Sequence, residues 1–325
     1  MKAVVLTQTG APEVLQMTEV PVPSVKPGWV LIQVKAFGLN RSELMLRQYE
    51  GNAPYIHLPR IPGIECVGVV ADASNTHFTK GQKVLALMGG MGRSFDGSYA
   101  EYTLVPVNHV FSVNTDMSWA QLAAIPETYF TAYGSLFDSL QLRPDDVLLV
   151  RGGTSSAGLA AVQLAKSIGT QVLASTRKEE KRELLIKTGA DYVLIDDGTL
   201  GSQLKAIYPQ GVTKILELIG AVTLIESMNL LSKHGIVCVT GILGKKVTMD
   251  NFYPIKDIPS GVYLTGFVSN FPNQQLIDSL FLHIKKHAIQ PVIAKIFSLD
   301  QLADAHSLME KNEANGKIVV VNNQL

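Results

Sequence analysis

The sequence predicts an α/β protein in which a doubly wound parallel sheet accompanies a second, β-rich domain. Three observations carry this. From residue 147 onward, short apolar runs alternate with helix-patterned stretches, as right-handed βαβ crossovers require. Before about residue 110 the apolar runs are all strand-like and are cut by Pro and Gly. Between the first apolar run of the alternating part and its helix lies "RGGTSSAGLAAVQLAK", residues 151–166, a glycine-bearing turn where parallel sheets bind nucleotides.

In chain order, "AVVL", "WVLIQVKAFGL", "ECVGVVADA", "KVLALM" and "SYAEYTLVP" are strand candidates, separated by "PVPSVKPG", "PRIPG" and "TKGQ". They predict a compact, barrel-like β domain. From Ser118 the pattern turns helical in "SWAQLAAIPETYFTAYGSLF", with Ser118 as N-cap. Strands follow at 147–150, 171–175, 192–195, 214–218, 236–240 and 262–267. Helices at 158–168, 178–188, 199–207 and 221–232 separate the first five. Six strands match the two mononucleotide halves of a Rossmann domain. A helix at 274–288, the β-like "PVIAKIFSL", a helix at 300–310 and "GKIVVVN" close the chain. These last strands lack crossover helices, so the chain is expected to return to its first domain. The expected division is 1–117 with 290–325, and 118–289 for the Rossmann domain.

Composition narrows the class. Lys+Arg and Asp+Glu both total 28, so no global field favours nucleic acid or an anionic membrane. No apolar run approaches the roughly 20 residues of a membrane span. The opening "MKAVVLTQTGAPEVL" lacks a signal-peptide core. Two cysteines, Cys66 and Cys238, cannot make a disulfide framework, and a reducing cytoplasm is the expected compartment.

The turn spells Gly153, Ser155 and Gly158 where a dinucleotide motif usually reads G-x-G-x-x-G. The first glycine permits the tight turn and the last lets helix and strand pack closely. Thr154, Ser155 and Ser156 add hydroxyl donors at a helix N-terminus, which favours anions. The second strand runs into Ser175, Thr176, Arg177 and Lys178, with Lys181 one turn on. An NAD site would place Asp or Glu there for the ribose 2′-hydroxyl, whereas hydroxyls and cations suit a 2′-phosphate. NADPH is the expected cofactor. The candidate cofactor residues are Gly153, Thr154, Ser155, Ser156, Ala157, Gly158, Ser175, Thr176, Arg177, Lys181, Gly241 and Phe267.

Read together, "AFGLNRSE", "PGIECVGVV", "KGQKVLAL", "GSYAEY", "AAIPETYFTAYGSL", "GGTSSAGLAA", "STR" and the closing "GKIVVV" resemble the zinc-free quinone oxidoreductases of the medium-chain dehydrogenase/reductase superfamily. That resemblance implies a GroES-like β-barrel substrate domain, a Rossmann domain and NADPH. Zinc-bearing relatives carry a Cys near residues 37–41, a Gly-His-Glu where this chain has Gly63-Ile64-Glu65, and a later Cys. Ile64 and Asn40 stand instead, and no metal is expected. His283 and His287, four apart on the predicted 274–288 helix, have no evident third ligand.

Without a Lewis acid the expected acceptor is already electrophilic, a quinone or an α,β-unsaturated carbonyl. An enoyl-thioester reductase and a non-catalytic NADPH-binding protein are the alternatives. Asn40 matches the family's cleft asparagine, Tyr49 stands in a loop where the family often places an active-site tyrosine, and Thr128 matches a threonine near the nicotinamide. Tyr55 rivals Tyr49 in the same loop. Asp196 or Asp197 replaces a family tyrosine that binds the 2′-phosphate, which weakens the expected NADPH preference. The apolar sixth strand, 261–268, lacks Lys, Glu and internal Pro and predicts an edge-to-edge homodimer.

Overall fold

The structure, a computed structural model, describes residues 1–322; the last three residues of the expected 290–325 segment lie outside the described residues. Strands β1 (Lys2–Val5) and β2 (Gln16–Glu19) form an antiparallel pair. β3 (Trp29–Gly38), β4 (Glu65–Asp72), β5 (Lys83–Leu87), β6 (Tyr102–Pro106) and β7 (Val110–Ser112) follow, with helix α1 (Arg41–Gln48) after β3. β3 is buried along most of its length because it has neighbours on both sides. β4 runs along one edge, and β6 takes Trp29 to Gln33 on the other.

The helical stretch after Ser118 divides into α2 (Trp119–Ala123) and α3 (Pro126–Tyr133). Pro126 has no N–H to continue α2 but suits the first turn of α3. Ser118 caps α2 by accepting from the Gln121 backbone N–H at 3.3 Å. A π-helical turn, Gly134–Ser139, extends α3. A methyl group at Gly134 would lie 2.1 Å from the Phe267 ring, so this glycine makes room for the aromatic.

The alternating part contains β8 (Val147–Arg151), α4 (Ser156–Ser167), β9 (Gln171–Thr176), α5 (Arg182–Thr188), β10 (Tyr192–Ile195), α6 (Leu200–Ile207), β11 (Val212–Glu217), α7 (Leu224–Asn229), β12 (Leu231–Val239), α8 (Pro254–Asp257) and β13 (Tyr263–Gly266). All six strands are parallel, in the order β10-β9-β8-β11-β12-β13. In order of appearance this is 3-2-1-4-5-6, the Rossmann arrangement. Leu149, Leu173, Ile215 and Val237 of its inner strands are fully buried in one cluster. β12 starts earlier than periodicity predicts. Its first residues pair across an irregular register at Val212/Lys214, and His234 (φ 68°) turns the strand just before Gly235.

The chain closes with α9 (Gln274–Lys286), β14 (Ile293–Phe297), α10 (Leu302–Glu310) and β15 (Lys317–Val321). β15 pairs antiparallel with β3, matching Val319 to Gly38, and parallel with β14. The resulting mixed sheet has the order β14-β15-β3-β4-β5-β7, with β6 also on β3. Two compact units result. The first comprises Met1–Phe130, Asn270–His283 and the chain from Gln290 on, and the second Thr131–Ser269 and Ile284–Ile289. Among the described residues no helix is long and apolar enough to cross a membrane.

Candidate functional site

In the parallel-sheet unit, the turn after β8 is built on glycine geometry. Gly152 has φ 86°, a left-handed conformation that a side chain disfavours. A methyl group at Gly158 would come within 2.6 Å of the Gly152 and Gly153 carbonyl oxygens, so glycine lets α4 start against the strand end. Ser155 caps α4: its hydroxyl accepts from Gly158 N–H at 3.1 Å and donates to the Gly152 carbonyl at 2.9 Å. The hydroxyl of Ser155 therefore serves the turn. Thr154, Ser156 and Ala157 stand half-buried beside it. Gly241 is closed to any side chain, since a methyl group there would lie 2.1 Å from the Leu218 carbonyl oxygen. Phe267, half-buried, fills the space over Gly134.

The residues after β9 divide in the same way. Ser175 accepts from Gly152 N–H at 3.1 Å and Thr176 from Lys178 N–H at 3.2 Å, so both hydroxyls fix backbone. Glu179 is held by Arg182, and Lys178 approaches Glu180 at 3.9 Å. Arg177 is exposed and, among the described residues, makes no ion pair. Burial, and then the neighbouring Lys178, hold the Lys181 ammonium below its usual range. An anion among these cations would relieve that crowding.

Sequence reading passed over Arg151. It ends β8 with only 1% of its surface exposed. Its guanidinium donates from Nε to Asp196 Oδ2 and from one terminal nitrogen to Asp196 Oδ1, both at 2.9 Å. It also reaches Glu226 at 2.5 Å, Ser227 Oγ at 3.1 Å and the Thr223 carbonyl at 3.3 Å. Burial opposes its charge, but Asp196, Glu226 and nearby Glu217 outweigh that and hold its pKa above the usual range. Glu217, at the end of β11, accepts from the Ile219 and Gly220 N–H groups and from Ser227. Asp197 turns the other way and caps Thr199. The one sequence signal was a cation closing an otherwise apolar parallel strand, which must find partners when buried.

In the mixed-sheet unit, a second charged cluster surrounds Asn40. This residue precedes α1, and its carboxamide is held at both ends. Nδ2 donates to Glu65 Oε1 at 2.8 Å, and Oδ1 accepts from Lys317 Nζ at 2.6 Å. Lys317 also bonds Glu65 Oε1 at 2.8 Å, and both side chains are buried. Glu65 Oε2 accepts from Glu127 N–H at 2.6 Å, which ties the start of α3 to the cluster. Glu43 Oε2 accepts from Asn40 N–H at 2.9 Å and Oε1 from Ile64 N–H at 3.2 Å. Burial, then Glu65, push the Glu43 carboxyl up to about 7 against the opposing pull of Lys317 and those N–H groups. Gly38 makes the arrangement possible: a methyl group there would lie 2.3 Å from Lys317 Cε and 2.6 Å from Glu65 Oε1.

Thr128, next to Glu127 on α3, is buried, and its hydroxyl has no protein partner among the described residues. Tyr49 closes α1, about 13 Å along the helix from Asn40, and is 56% exposed. Tyr55 is 60% exposed. Neither tyrosine joins the cluster. Burial drives the Cys66 thiol far above its usual range, and Cys238 is buried in β12. Among the described residues no group of three or more His, Cys, Asp or Glu could hold a metal ion.

The alcohol dehydrogenase GroES-like domain family matches residues 26–115, and the zinc-binding dehydrogenase family matches residues 157–275. Over 333 residues the chain is 29% identical to the quinone oxidoreductase of Sus scrofa, covering 99% of this chain and 98% of that protein. The structure of a 2-haloacrylate reductase is similar over 99% of this chain and 100% of the other, at 25% identity and a TM-score of 0.86. A mycobacterial protein complexed with NADPH is similar over 99% of each chain, at 25% identity and a TM-score of 0.85.

Proposed function

Because the chain belongs to the medium-chain dehydrogenase/reductase superfamily, as a quinone oxidoreductase-like member, we propose that it is an NADPH-dependent reductase of quinones or α,β-unsaturated carbonyls that works without zinc. The observation that carries this reading is the buried Lys317–Glu65 pair bonded to Asn40. Zinc-bearing relatives carry a Cys near residues 37–41, where Asn40 lies, and a His where this chain has Ile64. Here those positions offer an amide and an apolar side chain, and Glu65 already bonds an ammonium. That donor set does not fit a divalent ion. With no Lewis acid to stabilise an alkoxide, an acceptor that is itself electrophilic is the chemistry left.

The residues after β8 and β9 fit NADPH. Backbone N–H groups at the start of α4, with Thr154 and Ser156, suit a pyrophosphate. Arg177 and Lys181 suit the 2′-phosphate, and the NADPH-complexed neighbour supports the same cofactor. When bound, NADPH supplies a hydride to the quinone ring or to the β-carbon of the unsaturated carbonyl. The second hydrogen of the Asn40 Nδ2 group, not used by Glu65, is a donor for the acceptor oxygen as charge develops there. Tyr49, exposed at the end of α1, is the candidate that returns a proton from the solvent side.

NADPH and NADH oxidation with a panel of quinones, enones and enoyl thioesters, repeated under excess chelator, tests the reading. Turnover should depend on an added quinone or enone, favour NADPH and survive chelation. Turnover only on enoyl thioesters would assign acyl carriers instead, and no turnover on any acceptor would favour a non-catalytic binder. Activity lost together with a stoichiometric zinc would refute the zinc-free reading. We further propose a homodimer through the open edge of β13, where Tyr263 is 55% exposed. Tyr263→Lys should shift the particle toward monomer in light scattering; a wild-type monomer at micromolar concentration rules the dimer out.

A further inference from the structure

Beside the 2′-phosphate candidates, the sequence places an acid. Asp196 follows β10, whose register pairs Ile195 with Thr176, and its N–H donates to the Thr176 carbonyl at 2.8 Å. The next residue along β9's path is Arg177. An aspartate there has two damaging courses: to pair with Arg177, or to face the phosphate and repel it. The structure shows a third. Both Asp196 oxygens bond the Arg151 guanidinium in a two-pronged contact. Arg151 is fixed in turn from the far side by Glu226, Ser227 and the Thr223 carbonyl around α7.

We propose that Arg151 is a specificity-determining positioning residue for the cofactor: by occupying both oxygens of Asp196, it leaves Arg177 to the 2′-phosphate. This rests on the NADPH reading above and adds to it a residue that touches neither phosphate nor nicotinamide. The charge count explains how. In the stretch 177–182, Glu179 is held by Arg182 and Glu180 lies beside Lys178. Asp196, which follows the Ile195–Thr176 pairing, is held from behind by Arg151, so Arg177 has no acid paired to it among the described residues. A lysine at 151 would supply the charge, but it could not hold both oxygens of Asp196 in a fork while also reaching Glu226. Without Arg151, the Asp196 carboxylate is an unpaired, largely buried charge whose adjacent residue in register is Arg177. That competition penalises a ligand carrying the 2′-phosphate and leaves one without it nearly untouched.

Binding, measured by fluorescence titration of the protein with NADPH and separately with NADH, reads this directly. Arg151→Met should weaken NADPH by about tenfold or more and NADH by less than about threefold. Adding Asp196→Asn to that variant should bring NADPH back to within about threefold of wild type. An equal loss of both cofactors, or no recovery in the double variant, overturns the proposal. If Arg151→Met does not fold, Arg151→Lys is judged by the same two criteria. Arg177→Ala separates this inference from the reading beneath it. An unselective loss there overturns the 2′-phosphate site and this proposal together. A selective loss there, beside an unselective loss in Arg151→Met, overturns this proposal alone.

Discussion

Lys317 in the mixed-sheet unit, which also buries Arg47, and Arg151 in the parallel-sheet unit are buried cations that each organise a cluster of acids. Both stand at the end of a strand; Lys317 meets the fully buried Glu65, and Arg151 meets the largely buried Asp196 and the half-exposed Glu226. The lysine is a point charge that reaches one carboxylate oxygen and one amide, so the second acid, Glu43, is left to backbone N–H groups and is pushed up to about 7. The arginine's planar fork binds Asp196 through two bonds and still reaches Glu226 and Ser227. Burial raises Glu217 there as well, but Ser227, two backbone N–H groups and Arg151 all oppose it. The two cations' geometries thus differ in how many partners each can hold, while burial raises an acid in both clusters.

The largest expected effect breaks the lysine cluster. Lys317→Met leaves Glu65 buried without its partner and should cost about 3–5 kcal/mol in urea denaturation. Changing Glu65→Gln in the same chain should recover most of that, because a neutral pair needs no counter-ion. A cost below about 1 kcal/mol for the single change would mean that the ion pair does not hold the cluster.

The next effect tests the titrating acid. Between 4.5 and about 7, folded chain keeps a proton on Glu43 that unfolded chain has released. Stability from this group is full below 4.5 and is lost as pH rises through 7, by about 3 kcal/mol in all. Glu43→Gln removes the dependence, so its stability relative to wild type should rise by that amount between pH 4 and pH 8. A constant difference across that range would place Glu43 among ordinary carboxylates. The smallest effect lies in the other unit, at a neutral contact. Ser155→Ala deletes the α4 cap and should cost about 1 kcal/mol by the same denaturation assay. A loss confined to NADPH binding, with stability intact, would instead make that hydroxyl a phosphate ligand.

The parallel sheet was legible because periodicity is a local signal: strand and helix patterns lie side by side in the chain, and the strand order follows from them. The nucleotide turn was legible for the same reason. What escaped depends on distant partners. Asn40 and Lys317 are 277 residues apart, and Arg151 draws on residues 45, 75 and 76 positions away. Neither cluster has a sequence pattern of its own. The Ser155 hydroxyl shows a subtler limit. Serine beside a phosphate and serine at a helix cap occupy the same place in the sequence, and only the bond to Gly152 shows that the hydroxyl is engaged. The irregular start of β12 depends on His234 in the left-handed region, which histidine tolerates better than most residues but which hydrophobic periodicity does not announce.

Gly38 constrains how the lysine cluster can change over successive generations. A pair of neutralising substitutions at 65 and 317 would leave an empty space beside this position. Alanine at 38 cannot fill it, because its methyl group would also lie 2.8 Å from the Ala123 backbone carbonyl, which no side-chain replacement moves. Any lineage that discards the ion pair must therefore repack from positions 65 and 317 themselves, or shift α2. Glycine at 38 then outlives the charges it accommodates, and its presence in a descendant would not by itself reveal whether the lysine is still there.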